Sequence, residues 1–91
     1  MKKAVKVIIS GAVQGVFFRA FIKENADEIG VYGHVRNLED GKVEAWIEGD
    51  NKKVGKMIEV CKQGPPHSQI RRLDEIEERF QGFKEFKILH I

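Results

Sequence analysis

Gly11-Ala12-Val13-Gln14-Gly15-Val16-Phe17-Phe18-Arg19 divides two patterns in this 91-residue chain. Before it, Val5, Val7 and Ile9 fall on one side of an alternating run, and Lys6, Ile8 and Ser10 on the other. That predicts a strand over Ala4 to Ser10, and a central one, because Ile8 makes the second face partly apolar. After it, the period changes. Phe18, Phe21, Ile22, Asn25/Ala26 and Ile29 line one helical stripe, with Lys23, Glu24, Asp27 and Glu28 off it. The quoted stretch is therefore a strand-to-helix loop with two glycines, no acid, and an arginine where the helix begins. Backbone N–H groups at a helix start lack intrahelical partners, and the macrodipole makes that end partly positive. An arginine there is unfavourable by roughly 0.3–1 kcal/mol. A bound anion, phosphate above all, reverses that sign. The plain alternative is an ordinary loop whose arginine reaches into solvent.

Working outward, Gly30 stops the helix. Val31 to Leu38 reads as a second strand with Val31, Val35 and Asn37 on one side, and Glu39-Asp40-Gly41 is a hairpin signal. Over Lys42 to Glu48, Val43, Ala45 and Ile47 point inward while Lys42, Glu44 and Glu48 point outward. Trp46 falls on the polar side, where it covers the exposed face of the sheet or edges a groove. Asp50 is a good helix cap. Val54, Met57, Ile58 and Cys61 then recur at core spacing, which makes Cys61 a buried small hydrophobe rather than a nucleophile. Gly64-Pro65-Pro66 ends this helix. Ser68 to Phe80 repeats Ile70, Leu73 and Ile76 every three residues, a charged helix or a bulged strand. A last strand runs over about Lys84 to Ile91.

Strand, helix, strand, strand, helix and two further strands make an α+β chain. The economical topology is the ferredoxin-like split βαβ sandwich: a mostly antiparallel sheet of four to five strands with two helices on one face. Residues 1–91 read as one domain. A single cysteine excludes an internal disulfide and a multi-cysteine zinc site, which fits a cytoplasmic protein. The apolar run behind Met1-Lys2-Lys3 reaches only Ile9, too short for a signal-peptide core or a membrane span. A net charge of +2 gives no case for nucleic acid. Charged residues make up 33% of the chain, both signs are interspersed, and Asn, Gln and Cys are sparse, a pattern of heat-adapted proteins.

The opening stretch resembles the first signature of the acylphosphatase family, G-x-V-Q-G-V-x-F/Y-R, at every defined position. Gly33-His34-Val35-Arg36-Asn37, followed by Gly41, Val43 and Gly49, resembles the second, with His34 where that family usually has an aromatic carbocycle. Gly64-Pro65-Pro66 matches the family's usual end to its second helix, and the likeness runs over essentially the whole chain. It implies that Ser68 to Arg79 is a strand. It also implies an enzyme that hydrolyses the carboxyl–phosphate bond of small acyl phosphates to a carboxylate and inorganic phosphate. No metal, cofactor or covalent phosphoenzyme is implied. By position, Arg19 and the backbone of Gln14, Gly15, Val16, Phe17 and Phe18 would bind the phosphate. Asn37 would hold the attacking water.

The residues suit those roles. Acyl phosphates have a good leaving group, and phosphoryl transfer depends mainly on positioning and on stabilising charge on the equatorial oxygens. Arginine offers a planar fork matched to phosphate. Asn37 carries donor and acceptor atoms but cannot be a general base, so a substrate oxygen takes the proton. On local pattern alone, Asn37 reads first as a turn residue before a hairpin, and Phe17 and Phe18 as helix-packing residues rather than substrate contacts. Other chemistries fail. No serine sits in a nucleophile elbow, the loop is not a Walker cradle, and His34, His67 and His90 lack ligand spacing. The competing functions are a non-catalytic anion- or metabolite-binding domain on the same fold and a single-stranded RNA binder, for which only Trp46 and Tyr32 offer platforms. The expected partners are a small acyl phosphate and inorganic phosphate as competitive inhibitor. Nucleic acid and membrane are not expected, and the chain is expected to be monomeric.

Overall fold

A computed structural model describes residues 1–13, 16–66 and 68–90, Val16 by its backbone alone. Among these residues seven elements follow one another: β1 (Lys2–Ala12), α1 (Val16–Ile29), β2 (Tyr32–Asn37), β3 (Val43–Asp50), α2 (Asn51–Gln63), β4 (Gln69–Glu78) and β5 (Phe86–Ile88). They form the anticipated α+β sandwich, with a five-stranded sheet in the order β4-β1-β3-β2-β5. Among the described residues, only the β2–β5 pair is parallel. β1 and β2 are each antiparallel to β3, so they run parallel to one another with β3 between them. α1 is the crossover that joins them, which makes the split βαβ unit.

The core lies between the sheet and both helices. Val5, Val7 and Ile9 of β1, Val35 of β2, and Val43, Ala45 and Ile47 of β3 pack in one cluster with Phe18, Ile22 and Ala26 of α1. Val54, Met57, Ile58 and Cys61 of α2 complete it. Both stripes read from the sequence therefore face the same side of the sheet. Asp50 caps α2 as anticipated, its carboxylate accepting from the backbone N–H groups of Lys52 and Lys53.

The three-residue spacing of Ile70, Leu73 and Ile76 has a local cause. β4 shifts register opposite Ser10 and Gly11: Ser10 pairs with Arg72 and Gly11 with Ile70. Arg71 is the extra residue of a β-bulge, so Ile70 and Leu73 share the core-facing side. Ile76, opposite Lys6, turns to the open face and is 43% exposed. Gly11 sits at this irregularity with φ 134°, and a Cβ there would fall onto the Gln69 carbonyl oxygen. The last strand is shorter than anticipated, Phe86–Ile88.

Candidate active site

The crossover sets where functional groups meet. Ile9 and Asn37 both pair with Val43, one from each side, so the ends of β1 and β2 lie level at one edge of the sheet. α1 begins there. Its first four residues are Val16, Phe17, Phe18 and Arg19, the positions whose N–H groups lack intrahelical acceptors, and no acid lies in that turn. Phe18 is buried and fixes the turn to the core. Phe17 does not pack as anticipated; it is 87% exposed. At 100° per residue it falls off the Phe18–Ile22–Ala26 stripe. Gln14 and Gly15, the remaining phosphate-binding candidates, lie outside the described residues, as do His67 and Ile91.

Arg19 comes from α1 and is half-buried; Asn37 ends β2 on the helix-facing side that Gly33 and Val35 share. Among the described residues, three buried side-chain polar atoms have no hydrogen-bond partner: Arg19 Nε, Asn37 Oδ1 and His34 Nδ1. Burying such a group unpaired is costly. Two of the three belong to the pair that the sequence singled out. Arg19 Nη1 lies 3.4 Å from His90 Nδ1. A groove of ≈ 580 Å³ opens at this end between residues 10–13 and 40–42. A neighbouring one of ≈ 510 Å³ runs along residues 36–40 and includes Asn37. Arg19 is not in either wall.

The remaining candidates are accounted for by packing. Cys61 is buried, and burial pushes its thiol up to about 12, out of reach of nucleophilic chemistry near neutrality. His34 does the work of an aromatic carbocycle. Its ring stacks on Trp46 at 6.1 Å and meets Phe83 edge-on at 5.7 Å. Desolvation lowers its pKa below 6.5, Glu44 opposes that shift and Arg36 adds to it. Of the two roles expected for Trp46, it takes the first: packed against His34 and Phe83, it covers the open face of the sheet. Gly33 has φ 138°, and a Cβ there would strike the Trp46 carbonyl, so this signature position is a backbone requirement of the β2–β3 pair.

One residue on that face departs from expectation. Glu48 alternates outward with Glu44 but is fully buried. Its carboxylate accepts backbone N–H groups of Gln81 (2.9 Å), Gly82 (2.7 Å) and Phe83 (2.7 Å) and the Trp46 indole N–H (3.0 Å). Burial alone would raise its pKa; these four donors together outweigh burial and leave it below 4.5. The strap of residues 79–85 crosses the open face from β4 to β5 over this carboxylate. No sequence pattern links positions more than thirty residues apart, so Glu48 carried no local signal.

A split βαβ sandwich with two helices on one face of a mostly antiparallel sheet defines the class: a ferredoxin-like α+β domain. The Acylphosphatase family model matches residues 5–88. An acylphosphatase of Syntrophus aciditrophicus is 46% identical over 91 residues, 99% of this chain and 95% of that protein. One of Syntrophobacter fumaroxidans is 48% identical over 88 residues, 96% and 91% respectively. The crystal structure of acylphosphatase from Bacillus subtilis is 34% identical, covers 99% of this chain and 100% of that one, and superposes with a TM-score of 0.92. The chain belongs to the acylphosphatase family and is a hydrolase.

Proposed function

We propose that this protein hydrolyses small acyl phosphates by direct attack of water on phosphorus, without a metal. Arg19 and the N–H groups of residues 14–19 bind the phosphoryl oxygens, and Asn37 holds the water. The observation that carries this reading is the pair of unpartnered buried atoms, Arg19 Nε and Asn37 Oδ1. The first is a donor suited to a phosphate oxygen, the second an acceptor suited to a water proton. Three physical arguments support it. A carboxylate leaves without help from an acid, so the site needs charge stabilisation and alignment. The helix start and the guanidinium supply positive potential fixed before the substrate arrives. Asn37 cannot take a proton, so the water's proton passes to a phosphoryl oxygen as the P–O bond to the acyl group breaks.

A cleft that holds mainly the phosphoryl group discriminates weakly among acyl groups, so broad acyl specificity is expected. The test is benzoyl phosphate hydrolysis by folded protein in excess chelator. Turnover supports the reading. Absence of turnover with phosphate binding retained would replace it with the non-catalytic anion-binding domain.

A further inference from the structure

The C-terminal segment is fastened more firmly than its strand requires. β4 and β5 occupy opposite edges of the sheet, so residues 79–85 must cross the open face between them. Glu48 holds that crossing by three backbone N–H groups. The Gly33 N–H donates to Glu85 O at 3.0 Å, and the Leu89 N–H to Val35 O at 2.8 Å. From the other side, Lys23 Nζ donates to Phe86 O at 3.0 Å. A three-residue edge strand has little pairing of its own. Here it is anchored before, along and after its length, by the sheet and by α1.

What this arm carries at its far end is His90. Phe86 is buried against the helices, and side chains alternate along the extended arm, so Phe86, Ile88 and His90 share the helix-facing side. β5 runs parallel to β2, so its end arrives at the edge where Asn37 lies. There His90 Nδ1 meets Arg19 Nη1 at 3.4 Å.

We infer that His90 is a positioning residue for Arg19. Its ring, protonated on Nε2, accepts one Nη1 hydrogen at Nδ1 and fixes the plane of the guanidinium. The Nε and the remaining hydrogens are left for phosphate. The choice of residue is chemically apt: a carboxylate here would neutralise the guanidinium and compete with the substrate, whereas an imidazole nitrogen orients without cancelling charge. The other cations of the elements packed on β5 are occupied elsewhere. Lys23 pairs with Asp27 at 2.9 Å, and Arg36 pairs with Glu44 at 3.1 Å. The arm, latched by Glu48 on one face, thus sets the phosphate-binding group on the other. This inference rests on Arg19 as the phosphate-binding residue.

The experiment measures benzoyl phosphate kinetics and calorimetric binding of inorganic phosphate for the wild type, His90→Ala and His90→Asn. His90→Ala is expected to raise KM and the phosphate Kd together by about threefold to tenfold, the range of one ordinary net hydrogen bond. Because the orientation of Arg19 serves the phosphoryl group alike in bound substrate and transition state, kcat should stay within about twofold. His90→Asn, whose amide oxygen can replace Nδ1, should restore both constants. Glu48→Gln should weaken phosphate binding in the wild type but add nothing in His90→Ala, because the latch acts through His90. His90 is exposed, so thermal unfolding should not move. Unchanged phosphate affinity in His90→Ala, or failure of His90→Asn to restore it, would overturn the inference. A wild type that binds phosphate through His90 yet does not hydrolyse benzoyl phosphate would overturn the enzyme reading and leave this one standing.

Discussion

Asn37 has no charge to lose and no proton to take, so its replacement isolates alignment from electrostatics. Asn37→Ala is expected to lower kcat for benzoyl phosphate by about 100-fold or more, the scale of a misplaced attacking group. Phosphate affinity, measured by calorimetry, should stay within about threefold because the anion is held by other donors. Joint loss of affinity would reassign Asn37 to anion binding. Arg19→Gln should behave differently. Removing a charged fork takes away hydrogen bonds worth about 1.5–3 kcal/mol. Phosphate Kd should therefore rise and kcat/KM fall together by at least tenfold, about 1.4 kcal/mol. The two residues were not equally legible. Arg19 stands out in the sequence because a cation in a helix's first turn opposes the dipole. Asn37 before a hairpin has an ordinary turn role, and it gained meaning only from the signature around it. His90 carried no signal at all, because its contact with Arg19 spans 71 positions.

At the scale of the elements, the open face of the sheet is where sequence and structure part. Alternation in β3 assigned Glu48 to the correct face. It could not assign its burial, which depends on the strap that returns from β4. The bulge at Arg71 explains similarly why a period of three, ambiguous as a pattern, resolves into a strand. The strap gives two measurable consequences. Glu48→Gln sets an amide N–H₂ against backbone N–H donors and should cost about 2–3 kcal/mol in urea unfolding at pH 7. Because the folded pKa of Glu48 lies below 4.5, its contribution is complete above pH 4.5 and is lost as pH falls through the folded value. The difference between variant and wild type should shrink over that window. His34 acts at higher pH. Its folded pKa lies below 6.5, so between the two values the unfolded chain binds more protons and stability declines as pH drops below 6.5. His34→Phe should keep the contacts with Trp46 and Phe83 and remove this upper step from the urea midpoint. A step that persists would place its origin in another group.

In the whole molecule, folding and anion binding are linked. A native-state ligand must stabilise the fold by RT ln(1 + [L]/Kd), about 1.4 kcal/mol at ten times Kd. In a chain of this size each kcal/mol raises Tm by about 4–8 °C. Inorganic phosphate should therefore begin to raise Tm near its inhibition constant against benzoyl phosphate, and above it Tm should climb with the logarithm of phosphate concentration. Phosphate also stabilises folded proteins generally by exclusion from their surfaces, an effect that grows in proportion to concentration and has no onset at a binding constant. The two are separable because the specific part, in the proposed reading, runs through Arg19. Arg19→Gln should lose the logarithmic rise and keep the general one. Asn37→Ala should keep both while losing turnover. Equal phosphate responses in the wild type and Arg19→Gln would mean that the anion does not use the α1 edge. In that case the acid-free helix start and the unpaired Arg19 Nε would need a different ligand.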